Sequence, residues 1–210
     1  MPFGYVRSVR HAPLLAVTLF GLSACATLDQ PDTVSQPPLA WAERQQYLAG
    51  LESWKMSGRV AVQTKEDSWS ATIRWNQMPA RYAINLSGPL GGNAMTIQGG
   101  PGYVVMQTSD GEKYSETNPD RLIEAQTGWQ IPVAGLRYWA MGLVAPQSPA
   151  AQAFDAQGRV SELRQSGWTI QYQRYQRKNQ TEMPDKIQLE NERFKVKLVV
   201  KDWQLGPPRS

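Results

Sequence analysis

Apolar and polar side chains alternate along a series of short segments between residues 54 and 106. Residues 69–75, for example, place two tryptophans, an alanine and an isoleucine on one side and a serine, a threonine and an arginine on the other. The same alternation occurs in 54–62 and 82–86. A period of two is typical of a β-strand with one buried face, and turn residues separate these segments. The pattern therefore predicts an antiparallel meander.

The middle of the chain changes to helical patterning. Asn118, followed at once by a proline, is a helix start signal and Gly128 is a stop signal, so we predict a helix over 118–127. A second short helix is predicted over 133–141, and 41–51 is predicted as an amphipathic helix before the first strand. Strand patterning then resumes in five segments, at 160–164, 168–172, 187–189, 194–200 and 203–205.

Nine to eleven strands with three short helices make this a mainly β chain with short helices. A strongly twisted sheet of this size tends to curl, and helices inserted midway can lie against its concave face. We therefore predict a curled antiparallel sheet that forms an incomplete (half) barrel over residues 41–205, with a helical plug or lid over an apolar cavity. The eight tryptophans suit either a plain core or a greasy, adaptable pocket, and composition alone leaves both open.

The amino terminus has the organisation of a secretory signal. Arg7 and Arg10 precede an apolar run at 12–22, which is shorter than the ~20 residues that a membrane-spanning helix needs. The tetrapeptide that ends at Cys25, Leu-Ser-Ala-Cys, matches a lipobox. We predict that residues 1–24 are a lipoprotein signal peptide and that Cys25 carries the lipid.

Low hydrophobicity marks both ends of the mature chain. Residues 25–40 are rich in Pro, Asp, Ser, Thr and Gln, so a lipidated flexible tether is predicted there. Residues 206–210 are predicted to be a tail. Ala26, rather than an aspartate, follows the lipidated position and resembles the outer-membrane pattern.

Composition excludes several function classes. The only histidine, His11, lies in the predicted signal peptide, and the only cysteine is Cys25. Cys/His zinc sites and Ser/His/Asp or Cys/His catalysis therefore have no side chains to use, and we predict no metal site and no cofactor. Phosphate-binding loop motifs are absent. The mature chain would carry a net charge of only about +2, which argues against nucleic-acid binding.

The most specific sequence block of the chain is G-W-Q-I-P-V-A-G-L-R-Y-W-A-M-G at 128–142. The others, in order, are W-K-M-S-G-R-V-A-V (54–62), S-A-T-I-R-W (70–75), Y-A-I-N-L-S-G-P-L-G (82–91), G-W-T-I-Q-Y (167–172), M-P-D-K-I-Q-L (183–189) and K-V-K-L-V-V-K-D-W (195–203). Together these blocks resemble the LolB family of outer-membrane lipoprotein receptors.

The resemblance implies a non-enzymatic function. A LolB-like chain is a monomer, lipid-anchored in the inner leaflet of the outer membrane and facing the periplasm. It accepts acylated lipoproteins from a periplasmic carrier (LolA-like) and inserts them into the outer membrane without ATP.

The resemblance also implies two sets of site residues. The turn containing Gly88, Pro89, Leu90 and Gly91 would be a membrane-inserting loop, with Leu90 delivering cargo into the bilayer. The apolar side chains of the concave face would hold acyl chains. The candidates are Trp54, Val60, Val62, Trp69, Ile73, Trp75, Leu86, Met95, Ile97, Leu122, Leu136, Trp139, Ile170 and Tyr172.

The residues alone leave two other functions open. A structural lipoprotein serving as a scaffold in an outer-membrane assembly complex would share the signal, the tether and the sheet but would have a solid core. A carboxylate-dependent envelope hydrolase would need two acids that face one cleft. Most acids of this chain sit beside turn residues, which makes the hydrolase the weaker alternative.

Overall fold

The computed structural model describes residues 39–88, 95–146 and 148–208, all within a compact unit that spans residues 32–210. Three helices and eleven strands form in this part of the chain. In chain order they are α1 (Leu39–Ala49), β1 (Trp54–Gln63), β2 (Ser68–Gln77), β3 (Tyr82–Ser87), β4 (Met95–Gly100), β5 (Tyr103–Gln107), β6 (Lys113–Glu116), α2 (Pro119–Thr127), α3 (Val133–Trp139), β7 (Ala150–Phe154), β8 (Val160–Gln165), β9 (Trp168–Lys178), β10 (Thr181–Glu190) and β11 (Lys195–Leu205).

All eleven strands join one antiparallel sheet in the order β6-β5-β4-β3-β2-β1-β11-β10-β9-β8-β7. The sheet consists of two meanders, β1–β6 and β7–β11, which meet where β1 pairs with β11. Strands β6 and β7 do not pair with each other, so the sheet stays open. The predicted fold class, an incomplete antiparallel barrel with short helices, is confirmed.

The junction between the two meanders contains a β-bulge. Ser57 is opposite Asp202, but Gly58 is already opposite Val200, so the register shifts between these two positions of β1. A side chain at Gly58 would place its Cβ 2.2 Å from the carbonyl oxygen of Val199. Glycine therefore allows the close backbone approach that a bulge requires, and bulges increase the local twist that curls a sheet.

Helices α2 and α3 connect the two open edges of the sheet, because they lie in sequence between β6 and β7. The side chain of Asn118 accepts hydrogen bonds from the backbone N–H groups of Asp120 and Arg121, and proline follows it at the first helical position. At the other end, Gly128 has a φ of 72°, the left-handed conformation that ends many helices. The predicted boundaries of α2 are confirmed by these caps.

Burial follows the predicted alternation along the strands. In β2, Ala71, Ile73 and Trp75 are buried, whereas Ser70 and Arg74 are exposed. The sequence patterns did not predict β6 and β7, and they underestimated the lengths of β9 and β10. They also divided β11 into two segments, whereas the structure has one continuous strand from Lys195 to Leu205.

The chain beyond β11 turns back to the segment before β1. The N–H of Gly206 donates to the carbonyl oxygen of Ser53 over 2.9 Å, and Leu51 forms an isolated bridge with Pro208. The segment predicted as a tail therefore begins with backbone that is paired in the structure.

Candidate functional site: the concave face and its helical plug

The structure brings all fourteen predicted acyl-chain residues together in one apolar cluster. Nine of them are buried members of that cluster: Trp54, Val62, Ile73, Trp75, Ile97, Leu122, Trp139, Ile170 and Tyr172. The other five pack against it while partly exposed: Val60, Trp69, Leu86, Met95 and Leu136. Whether these side chains contact acyl chains stays a prediction.

Side chains from α2 and α3 fill the concave side of the sheet. Leu122 and Trp139 are both 1 % exposed, and Val133 is 7 % exposed. On the sheet, the Trp54 ring lies between those of Trp75 and Trp203, with centroid separations of 5.1 and 5.3 Å. The two helices therefore occupy the space where the sequence predicts an apolar cavity, and they act as a plug.

The carboxyl end of α3 is held by a buried amide. Gln165, 3 % exposed, accepts from the indole N–H of Trp139 over 2.8 Å and from the N–H of Ala145 over 2.9 Å. Its amide nitrogen donates to the carbonyl oxygens of Ala145 and Ser148, each over 2.7 Å. Because buried polar groups are costly when unpaired, this four-bonded side chain fixes the end of the plug firmly.

Tyr172 provides a second attachment at the same place. Its hydroxyl donates to the carbonyl oxygen of Trp139 over 2.9 Å. Burial raises the pKa of the Tyr172 phenol well above its ordinary value, so the group keeps the proton that it donates. The sequence identified Tyr172 as an apolar wall residue and missed both its hydrogen bond and the role of Gln165. Only the tertiary fold reveals these partners, since they lie far apart in the chain.

Helix α1 has two fully buried side chains, Trp41 and Leu48, and the Trp41 ring lies 5.8 Å from that of Phe154 in β7. The Tyr175 ring lies against two guanidinium groups, 4.8 Å from that of Arg44 and 4.9 Å from that of Arg159. Arg44 donates to the carbonyl oxygen of Glu182, and burial lowers the pKa of its guanidinium. These contacts are structural, because they attach α1 to the sheet.

Two clefts lie at opposite ends of the sheet. The first, the β1–β2 cleft, has a volume of about 480 Å³ and is lined by Val62, Trp69, Trp129, Phe194 and residues of the β1–β2 turn. The rings of Trp69 and Trp129 meet there edge-on, 5.6 Å apart. Strand β3 ends at Ser87 on the same end of the sheet, because it runs antiparallel to β2.

The second cleft, the α3 cleft, has a volume of about 340 Å³ and lies between α3 and the turns that join β2 to β3 and β4 to β5. Trp75, Gln77, Tyr82, Val133 and Arg137 are among its lining residues. Three of the predicted acyl-chain residues, Val62, Trp69 and Trp75, therefore line one or other of the two clefts.

Some predicted site residues lie outside the described part of the chain. Cys25 and the loop residues Pro89, Leu90 and Gly91 are among them, whereas Gly88 is described and directly follows β3. Within the described ranges, no helix has both the length and the apolar character to cross a bilayer. The same ranges contain no group of three or more Asp, Glu, His or Cys residues arranged to hold a metal ion.

A family model described as outer membrane lipoprotein LolB matches residues 52–203, which span every strand and helix except α1 and the last two residues of β11. The chain belongs to the LolB family. The predictions of an outer-membrane lipoprotein that is not an enzyme are confirmed by this membership.

Curated relatives named LolB match this chain over nearly its whole length. The outer-membrane lipoprotein LolB of Pseudomonas syringae pv. syringae is 37 % identical over 198 residues, covering 93 % of this chain and 96 % of the relative. The LolB of Pseudomonas putida GB-1 is 38 % identical with the same coverage. The LolB of Nitrosococcus oceani is 35 % identical, covering 92 % of this chain and 96 % of the relative.

Solved structures support the fold alone. A domain described as an outer-membrane lipoprotein-sorting protein domain from Vibrio parahaemolyticus superposes with a TM-score of 0.53 at 9 % identity, covering 77 % of this chain and 90 % of that one. A DUF1329 family protein from Desulfovibrio piger gives a TM-score of 0.54 at 4 % identity, covering 79 % and 90 %. The half-barrel architecture thus recurs in proteins of very different sequence.

Proposed function

We propose that this LolB-family chain accepts acylated lipoproteins from a periplasmic carrier and inserts them into the outer membrane without ATP. Cys25 carries its own lipid anchor, and residues 25–40 tether the half barrel to the inner leaflet. The concave apolar cluster holds the acyl chains of the cargo during transfer.

The observation that carries the proposal is the construction of the apolar interior. A large aromatic and aliphatic cluster lines an open sheet and is covered by two short helices of nine and seven residues. Helices this short have little stability of their own, since isolated helices below ~12–15 residues are marginal in water. Displacing them exposes apolar surface suited to acyl chains, which a permanently solid core does not require.

The energetics of lipid transfer explain why such an interior is needed. Each buried CH₂ group of an acyl chain contributes about 0.8 kcal/mol, so exposing a whole chain to water is prohibitive during handover. A continuous apolar route from the carrier, through the concave face, to the bilayer avoids that exposure. No nucleotide is required when affinity increases along the route.

Site-specific photo-crosslinking tests the proposal. A photo-reactive amino acid placed at Ile73 or Trp139, both at most 7 % exposed, should crosslink to an acylated lipoprotein supplied by the carrier. The matched control position is Arg59, which is exposed on the other face of the sheet and should give no crosslink. Absence of crosslinks from both interior positions would favour the scaffold function instead.

Leu90 is proposed to act at the last step, insertion into the bilayer. Burying one leucine contributes about 1.5–3 kcal/mol, too little to anchor a protein but enough to orient it and to disturb headgroups locally. The connection that contains Leu90 follows β3 at the end of the sheet where the β1–β2 cleft is found.

Leu90→Glu should therefore abolish insertion while cargo uptake from the carrier continues. Uptake is measured as complex formation with the cargo, and insertion as cargo recovered in the outer-membrane fraction. Leu90→Ile serves as the control, because it keeps the apolar character of the loop. If uptake falls as far as insertion, the role assigned to Leu90 is wrong.

A further inference from the structure

The α3 cleft combines an apolar floor with polar atoms that have no partner. The ring of Trp75 forms part of its wall and is packed from behind by Trp54, a member of the apolar interior. Val133, at the start of α3, lines the same cleft. The cleft therefore lies between the apolar interior and the solvent at this end of the sheet.

Two of the polar groups are more than nine-tenths buried. Trp75 is 5 % exposed and Gln77 is 3 % exposed, yet the Trp75 Nε1 and the Gln77 Oε1 have no hydrogen-bond partner. The Gln77 amide cannot simply be reversed, because its Nε2 donates to the carbonyl oxygens of Met78 and Arg81 over 2.8 and 3.3 Å. A donor and an acceptor are thus left unsatisfied at a cost, which is unusual for a native interior.

Two more donors complete the set. The Tyr82 hydroxyl and the Arg137 Nε are buried without partners and belong to residues that line the same cleft. The Tyr82 ring lies close to Gly99, where an added Cβ would be 2.5 Å from the ring carbon Cζ. Burial raises the pKa of Tyr82 to about 12, so its hydroxyl stays a donor throughout the physiological range.

We propose that the α3 cleft is a subsite for the polar linkages of the cargo lipid, the ester and amide groups that join the acyl chains to the lipidated cysteine. This inference rests on the proposed function. A cysteine carrying an S-diacylglyceryl group and an N-acyl group presents two ester carbonyls, one amide carbonyl and one amide N–H. In the proposed subsite, Tyr82 and Arg137 donate to the two ester carbonyls, Trp75 donates to the amide carbonyl, and the Gln77 acceptor matches the N–H.

Access to these atoms requires outward movement of the amino end of α3. The residue before the helix, Pro132, provides no side-chain cap, and the Val133 N–H donates to the Asp120 carboxylate of α2 over 2.8 Å. Just before the helix, the Gln130 side chain bonds to Glu124 of α2 and to Arg193, and both of these bonds are exposed. The carboxyl end is fixed by Gln165 and Tyr172. Helix α3 can therefore pivot about Trp139 and expose the four polar atoms together.

The subsite would also give the bound lipid a direction. With its linkages in the α3 cleft, the acyl chains extend across the concave face toward the opposite end of the sheet. That end carries the β1–β2 cleft and the start of the loop that contains Leu90. Cargo would then approach the bilayer with its acyl chains leading.

Ester and ether ligands with identical chains test this subsite. The protein is the mature chain, residues 25–210, with Cys25→Ser, which retains the whole compact unit from residue 32 onward. The ligands are N-octanoyl cysteine peptides that carry either a dioctanoyl glyceryl or a dioctyl glyceryl ether group on sulfur. Their affinities are measured by displacement of a fluorescent acyl probe. We expect the affinity for the ester ligand to be at least about fivefold higher than that for the ether ligand.

Tyr82→Phe removes one donor and keeps the ring against Gly99. It should weaken binding of the ester ligand about three- to tenfold, the range for one neutral hydrogen bond, and leave the ether ligand unchanged. Arg137→Met should act in the same selective way. The matched controls are Tyr114→Phe on β6, whose hydroxyl bonds to the exposed Glu112, and Arg121→Met on the exposed side of α2. Neither control should alter either affinity.

The outcomes separate the subsite from the proposed function. Equal binding of both ligands to the unsubstituted protein, or equal loss of both in Tyr82→Phe, overturns the subsite and leaves the receptor function standing. Binding of neither ligand overturns both. Dioctanoyl phosphatidylethanolamine tests the other source of glyceryl esters: competition as strong as that of the lipopeptide would contradict the assignment to cargo.

Discussion

The two meanders that meet at β1 and β11 differ in how completely their polar side chains are bonded. Among the described residues, all six ion pairs lie between residues 155 and 202, in the β7–β11 meander. The same meander supplies Gln165 and Tyr172, which hold the end of the plug. In the β1–β6 meander, Trp75, Gln77 and Tyr82 each leave a buried polar atom without a partner, whereas Gln152 is the one such residue among the described strands of the β7–β11 meander.

Under the proposed function, this difference assigns the stability of the fold mainly to the β7–β11 meander and ligand binding to the β1–β6 meander. The β7–β11 meander acts as a frame, because its side chains crosslink strands and fix α1 and α3. The β1–β6 meander provides the wall that faces the less restrained end of α3. Substitutions that remove polar groups should therefore affect folding in the first case and ligand affinity in the second.

The largest effect is expected for Gln165→Leu. Loss of its amide strands the Trp139 indole N–H and both backbone groups of Ala145 in a buried setting. We expect the free energy of unfolding to fall by about 3–4 kcal/mol, measured by urea denaturation. Gln171→Leu, on the other face of the neighbouring strand, is the control and should change it by less than about 0.5 kcal/mol. A small effect of Gln165→Leu on stability would contradict the role of the β7–β11 meander as a frame.

A matched pair of tyrosines gives an intermediate effect and tests the comparison most directly. Tyr172→Phe loses the bond to the Trp139 carbonyl and should cost about 1 kcal/mol of stability. Tyr82→Phe loses a buried hydroxyl that has no partner, so stability should be unchanged or raised by up to about 1 kcal/mol. Thermal unfolding of both variants measures these two changes in stability. Equal losses of stability in the two variants would show that the two tyrosine hydroxyls contribute equally and would contradict the difference between the meanders.

The smallest effect is expected from the ion pair between Lys178 and Asp202, which are 2.8 Å apart. The hydrogen bond from the Lys178 ammonium lowers the pKa of the Asp202 carboxyl. A lowered folded-state pKa adds stability above the unfolded value of about 3.9, and that stability disappears as the pH falls through the folded value. Because Asp202 is substantially exposed, Asp202→Asn should cost less than about 0.5 kcal/mol at pH 7.

Urea denaturation at pH 7 and below pH 3 checks this sign, since the difference between variant and parent should vanish in acid. Lys178→Met and the double variant complete the cycle, and 1 M salt should reduce the coupling. A coupling that persists in acid would show that charge is not its source.

The sequence predicted those elements whose signals are local. The Asn118 cap and Gly128 set the limits of α2, and alternation located β1 to β5. Strand β6 was missed because its four residues, Lys-Tyr-Ser-Glu, include a single apolar side chain and form an edge. The alternation in β9 fails after Tyr172, because a bulge in the pairing of β9 with β10 changes which side chains face inward.

The candidate site was predictable as a set of apolar residues but not as a set of bonds. The fourteen residues chosen from patterning and family resemblance do cluster. The partners of Gln165 lie 17 to 26 residues away, and no periodicity marks a glutamine at a strand end as a plug anchor. Likewise, the unpartnered state of Trp75 and Gln77 depends on which groups the tertiary fold leaves nearby.

The covalent continuity of the plug with both open edges of the sheet has a thermodynamic consequence under the proposed function. Helices α2 and α3 are an intramolecular ligand for the concave face, present at a local concentration that short connections place in the millimolar range. Acyl chains therefore compete with a resident occupant, and the measured affinity for cargo is the difference between two occupancies. When the bilayer withdraws the chains, the returning plug refills the vacancy, so release leaves no apolar surface in water and the receptor resets itself.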